Sequence, residues 1–308
     1  MKSGTANGNG LELAFDQFGD GGNPAILLIM GNSAPGIVWP DRFCEVLADA
    51  GFCVIRYDQR DTGLSAYVDF EAHPYSLTDL VDDAFALLDH LGIRKAHFVG
   101  LSQGGNTALL AGLKSPSRVA SLTTVMSSPD MEPKNDAFTG KPARPGQLPP
   151  PDPDYVSAVI SLNSTPTQSD EDVAERFMQN FRLAAGPKSS FDEDFWLALG
   201  HGVAKRRRAQ HAKMANHSNH SKAQMATAPL TASDLARLKM PCLVIHGEMD
   251  PIFPPAHAVW SASNLVRAEL CIVPDMGHAL DPAYFDAAAS RIGTFLHNSM
   301  SHAEFSGD

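Results

Sequence analysis

Gly100-Leu101-Ser102-Gln103-Gly104 decides the reading of this chain. It is a G-x-S-x-G pentapeptide. Ala96-His97-Phe98-Val99 before it reads as a short buried strand, and the small apolar run Asn106–Leu113 after it reads as a packed helix. A serine between a strand and a helix in this pattern sits on a nucleophile elbow, a sharp turn that lifts the hydroxyl above the sheet. The flanking glycines are needed because a side chain there would strike the neighbouring strand and helix.

Outward from the elbow, the N-terminal part alternates strands and helices. Leu11–Phe18 reads as an edge strand, and Ala25–Met30 is a continuous apolar run that suits a strand buried on both faces. A helix is expected from about Trp39 to Ala50, then a strand at Phe52–Tyr57. Ser76 and Thr78 open an amphipathic helix that runs through Leu91. Ser121–Met126 is the next strand. This order predicts an α/β fold with a mostly parallel central sheet flanked by helices.

The pattern breaks after Ser127. Pro142, Pro145, Pro149, Pro150, Pro151 and Pro153 lead into helical stretches near Tyr155–Leu162, Asp170–Ala184 and Phe191–Lys213. Strands resume at Cys242–His246 and Glu269–Val273, and a last helix is expected over Ala283–His297. The expected division is a core of residues 1–127 and 234–308, with residues 128–233 inserted as a helical cap, or lid. An insertion after a strand's carboxyl end lies where open α/β sheets bind ligands. Trp196, Phe191, Phe195, Phe181 and Phe177 could line its pocket, although aromatics at helical spacing are more often core.

A serine hydroxyl needs a base. His278, in a Gly-His turn after the last strand, fits that role, and Asp250, after the Cys242–His246 strand, fits the acid that orients it. Asp130, at the end of the strand before the insertion, is the alternative acid, and Asp275 is expected to face solvent. The negative oxygen of a tetrahedral intermediate requires two donors. The backbone N–H groups of Gln103 and Asn32 are the candidates. Arg60 and Asp61 read as pairing or capping their loop. Lys205-Arg206-Arg207-Arg208 reads as one solvated helix face.

Composition narrows the function. The chain has 308 residues, 44% of them hydrophobic, which is ample for a core. A formal charge of −11 argues against nucleic-acid binding. Met1–Gly10 holds no apolar run, so neither a signal peptide nor a membrane span is expected, and the chain reads as cytoplasmic. Cys44, Cys53, Cys242 and Cys271 lack zinc spacing and read as reduced thiols, and His211, His217 and His220 have no matching carboxylate or cysteine pattern. No metal and no cofactor are expected.

Together, Met30-Gly31-Asn32, Ile55–Ser65, Ala72-His73-Pro74-Tyr75, Gly100–Gly104, Asp250-Pro251-Ile252 and Met276–Leu280 resemble the α/β-hydrolase superfamily. More narrowly, they resemble its aclacinomycin methylesterase group. The resemblance implies a catalytic triad of Ser102, Asp250 and His278 and an oxyanion hole at Asn32 and Gln103. Asn32 stands where that group can have glycine, which changes the pocket edge and keeps the backbone donor. The expected function is a serine carboxylesterase acting on a small-molecule ester through an acyl-enzyme. A lactonase or a cofactor-free perhydrolase on the same triad, and a small-molecule receptor with slow or no turnover, are the alternatives.

Overall fold

The computed structural model describes residues 1–206 and 218–305. Its frame is one eight-stranded sheet in the order β1-β2-β4-β3-β5-β6-β7-β8. The strands are β1 (Lys2–Gly8), β2 (Leu11–Phe18), β3 (Ala25–Ile29), β4 (Cys53–Tyr57), β5 (Ala96–Leu101), β6 (Val119–Val125), β7 (Cys242–Gly247) and β8 (Ala268–Val273). The first two pair antiparallel, and β2 joins β4 antiparallel. From β4 to β8 every pairing is parallel.

The edge position expected for Leu11–Phe18 belongs instead to β1. That strand is mostly polar and buries only Ala6 and Gly8, so it has no apolar signature. What makes it is the turn: Asn9 and Gly10 both take positive φ, 53° and 77°. An Asn-Gly pair in that conformation closes a tight hairpin.

The inner strands β3, β4, β5 and β7 are buried along their whole length because both faces are covered, whereas the edge strand β8 is only partly buried. Leu27, Ile29, Ile55, Phe98 and Val244 point into one core layer with Val81, Leu88 and Ala108. Ile26, Leu28, Val54, Val99 and Ile245 point the other way, against Phe43, Leu47, Ile292 and Phe295. The first layer is built by α2 (Leu77–His90), α3 (Gln103–Lys114) and α10 (Ala256–Asn264), the second by α1 (Asp41–Asp49) and α11 (Pro282–Phe305). α2 begins with a capping box in which Ser76 and Asp79 each satisfy a backbone N–H of the other.

Between β6 and β7 the described chain is helical: α4 (Glu132–Phe138), α5 (Pro153–Leu162), α6 (Asp170–Ala185), α7 (Glu193–Lys205), α8 (Asn219–Met225) and α9 (Ala232–Leu235). The helix expected to run to Lys213 ends at Lys205, and residues 207–213 of that reading lie outside the described residues. Arg206 is not on a solvated face. It reaches back to Asp58 at 2.8 Å and Asp16 at 3.3 Å, whereas Lys205 is exposed. Arg207, Arg208, His211 and His217 lie outside the described residues. The aromatic set is mainly core. Trp196 is 1% exposed and stacks on Phe181 and Phe191 at centroid distances of 4.2 and 5.7 Å.

Among the described residues no helix is long and apolar enough to cross a membrane. All four cysteines are free thiols; three are buried and Cys271 is half-buried.

Candidate active site

Parallel strands end at one edge, and that edge carries every candidate residue. Gly31-Asn32 follows β3, Ser102 follows β5, Asp250 lies beyond β7 and His278 beyond β8. In the sheet β3 neighbours β5 and β7 neighbours β8, so Ser102 and the Gly31-Asn32 loop form one pair, Asp250 and His278 another. β6 lies between the pairs, and the helical segment rises from it.

Ser102 takes φ 55° and ψ −122°, outside the ordinary regions for a side-chain-bearing residue. Such a conformation costs about 1–3 kcal/mol and needs support from its surroundings. The Ser102 N–H donates to the Val125 carbonyl at 2.9 Å, and its carbonyl accepts from Gly105 N–H and Ser127 Oγ, at 2.9 and 2.6 Å. The glycines permit the turn. A Cβ on Gly100 would lie 2.1 Å from the Gly104 carbonyl oxygen, and one on Gly104 would lie 2.3 Å from that of Ile29.

Asp250 and His278 are joined directly. Asp250 Oδ2 accepts from His278 Nδ1 at 2.7 Å, while Oδ1 accepts the N–H groups of Ile252 and Phe253 at 2.8 and 2.9 Å. Both residues are buried. Burial opposes ionisation of Asp250, but the charge and hydrogen bond of His278 outweigh it and hold the carboxyl below its ordinary pKa. An ionised carboxylate only accepts, so Nδ1 carries the proton and Nε2 is left as the basic nitrogen. The loop is fixed by its backbone as well: His278 N–H donates to the Ala184 carbonyl at the end of α6, 2.7 Å away.

Asp130 is not brought to His278. Its carboxylate accepts the Glu132 N–H at 2.8 Å, at the start of α4. Asp275 is exposed. Arg60 makes two 2.6 Å bonds to Asp83 in the interior, and Asp61 accepts from Val68 N–H, Tyr75 Oη and Asn219.

Ser102, His278, Gly31 and Asn32 line one cavity of about 650 Å³, within the range of small-molecule sites. Among the described residues the backbone N–H groups of Asn32 and Gln103 donate to no protein acceptor. Both residues are held by α8. Asn32 Nδ2 donates to Ser221 Oγ at 2.9 Å, and Gln103 Nε2 donates to the His220 carbonyl at 3.0 Å and to Gln224 Oε1 at 3.1 Å. The next N–H of the loop, that of Ser33, donates to His220 Nδ1 at 3.0 Å.

The sequence reading missed α8 as part of the site. The segment is short and has no apolar periodicity, and His220 is fully buried with both ring nitrogens hydrogen-bonded. It also missed Lys134, which lines the cavity from α4. Among the described residues no group of three or more histidine, cysteine, aspartate or glutamate side chains could hold a metal ion.

Residues 24–280 match the model of the alpha/beta hydrolase fold family. The chain is 35% identical over 285 residues to rhodomycin D methylesterase DauP of Streptomyces sp. (strain C5), covering 89% of this chain and 91% of that protein. It is 34% identical, with the same coverage, to rhodomycin D methylesterase DnrP of Streptomyces peucetius. Among solved structures, the 2-hydroxy-6-oxo-6-phenylhexa-2,4-dienoate hydrolase of Rhodococcus sp. strain RHA1 superposes with a TM-score of 0.74. It covers 97% of this chain and 98% of its own at 18% identity, a likeness of fold. The chain belongs to the alpha/beta hydrolase fold family, and within it is similar to the rhodomycin D methylesterases.

Proposed function

We propose that this protein is a serine carboxylesterase in which Ser102 is the nucleophile, His278 the base and Asp250 the orienting acid. The carrying observation is the 2.7 Å Asp250–His278 pair facing, across one cavity, a serine held on a strained elbow. The similarity to two methylesterases supports an ester as the bond cleaved, with methanol as one candidate leaving group.

The reaction has two halves. His278 Nε2 takes the Ser102 proton as Oγ bonds to the ester carbonyl carbon. The carbonyl oxygen becomes an oxyanion between the N–H groups of Asn32 and Gln103. Collapse expels the alcohol, which takes the proton from His278, and leaves an acyl group on Ser102. Water then attacks, giving its proton to His278, and the acyl–oxygen bond to Ser102 breaks. Ser102 recovers its proton and a carboxylic acid departs. Asp250 stays ionised throughout and stabilises the imidazolium.

Residues 128–233 act in this reading as a cap that closes the cavity over a core of residues 1–127 and 234–308. The free thiols suit a cytoplasmic location. The test is hydrolysis of a p-nitrophenyl ester by Ser102→Ala: the reading requires turnover to vanish while the fold, by circular dichroism, is kept. Retained turnover would refute it.

A further inference from the structure

Lys134 is the only lysine, arginine, aspartate or glutamate that lines the cavity among the described residues. The chain as a whole carries −11, yet the charge it turns toward Ser102 is positive. Much of the surrounding lining is apolar, with Met30, Leu101, Phe138, Val159 and Phe181 among it. A charge in such a place is costly unless something pairs with it.

The protein supplies little. Among the described residues no carboxylate lies within ion-pair distance of Lys134. The acidic neighbours on α4 are engaged elsewhere, Glu132 and Asp136 both with Arg144. The one hydrogen bond from Lys134 Nζ is long, 3.5 Å to Gln224 Oε1, and that oxygen already accepts from Gln103 at 3.1 Å. An ammonium has three donors, so at least two are free to meet a ligand. Lys134 is half-buried in the cavity wall, where desolvation lowers its pKa to about 8 and leaves it mostly protonated at neutral pH.

We infer that Lys134 binds an anionic group on the substrate, so that the natural ester carries, apart from the bond cleaved, an ionised acidic function such as a carboxylate or phenolate. This rests on the esterase reading above and specifies its substrate class. Lys134 lies on the helical segment, whereas Ser102 and the N–H donors lie on the sheet edge. The anionic group is therefore distinct from the reacting carbonyl, which meets Ser102 and the N–H donors. Binding there places the ester against Ser102 without contact to the reacting atoms.

The test uses a matched pair, the monomethyl and dimethyl esters of naphthalene-2,6-dicarboxylate, which share one skeleton and differ by one carboxylate. The monomethyl to dimethyl ratio of kcat/KM is compared in the wild type, Lys134→Met and Lys134→Arg. The inference requires the ratio to fall about 10- to 100-fold in Lys134→Met, chiefly through KM, and to recover in Lys134→Arg. It also requires dimethyl ester hydrolysis to stay within about threefold, which shows that the variant is folded and its chemistry intact. An unchanged ratio, or an equal loss on both esters, would overturn the assignment and leave the esterase intact. Absence of Ser102-dependent hydrolysis of either ester and of p-nitrophenyl acetate would overturn the esterase reading itself.

Discussion

The backbone N–H of Ser33 donates to Nδ1 of His220 across 3.0 Å and 187 residues of sequence. Because Nδ1 accepts there, the ring proton sits on Nε2, which donates to the Arg60 carbonyl at 2.8 Å. The imidazole thus bridges the loop after β3 and the loop after β4. Burial, the largest influence on it, keeps its pKa below the ordinary histidine value. The neutral ring is the form both bonds require.

In the proposed mechanism this bridge makes His220 a positioning residue for the Asn32 N–H. In His220→Ala the Asn32 N–H loses its support, and kcat is expected to fall about 10- to 100-fold, with KM little changed. Steady-state kinetics with a p-nitrophenyl ester, alongside a thermal melt, checks this. A purely structural residue would lower the melting temperature without that split between kcat and KM.

The proposed triad takes Asp250, the carboxylate in contact with His278, as its acid, and the two aspartates are expected to behave differently. Asp250→Asn should reduce kcat about 10³- to 10⁴-fold, because the amide favours the wrong imidazole tautomer. Asp130→Asn should stay within about threefold, since that carboxylate accepts the Glu132 N–H rather than meeting His278. The reverse order of effects would reassign the acid.

Arg206 fastens the end of α7 to the core. Its guanidinium meets Asp58, a fully buried carboxylate, which also accepts the N–H groups of Gly36 and Leu64 at 2.8 Å each. Burial raises the Asp58 pKa even with Arg206 beside it. Arg206→Met strands that carboxylate, and urea denaturation is expected to show a loss of about 3 kcal/mol. Adding Asp58→Asn should recover part of the loss, and full additivity of the two would contradict the pairing.

Stability should decline as the pH falls below the ordinary histidine range. Burial lowers the pKa of His97 to about 4, and it is also the main influence lowering those of His246, His257 and His220. Below the unfolded value of about 6.5 the unfolded chain binds protons that the folded one refuses. The stability is therefore fully present above about pH 6.5 and drains away toward pH 4. The contribution of His97 alone is on the order of 3 kcal/mol across that window. Thermal melts at pH 7 and 4.5 test this, and His97→Phe should flatten the slope. A melting temperature independent of pH would contradict it.

What could be read from the chain follows a physical pattern. Ser102, Asp250 and Asn32 each follow a strand buried along its whole length, and such strands are largely apolar runs visible in sequence, whereas His278 follows the partly buried edge strand β8 and is legible from its Gly-His turn. Their carboxyl ends mark the edge where chemistry collects. Lys134, His220 and Ser221 come from helices of seven residues, too short for a periodic face. Their positions depend on contacts to segments more than 80 residues away, which no local pattern encodes. β1 was hidden for a different reason: it is a polar strand with no apolar run, ordered by the Asn9-Gly10 turn and its pairing with β2.

The central claim is that Ser102 carries the acyl group. Rapid-quench mass spectrometry during turnover of p-nitrophenyl butyrate tests it most directly. The account predicts a butyryl adduct on the peptide containing Ser102, abolished by Ser102→Ala. Turnover that continues in Ser102→Ala, or an adduct on another residue, would contradict it.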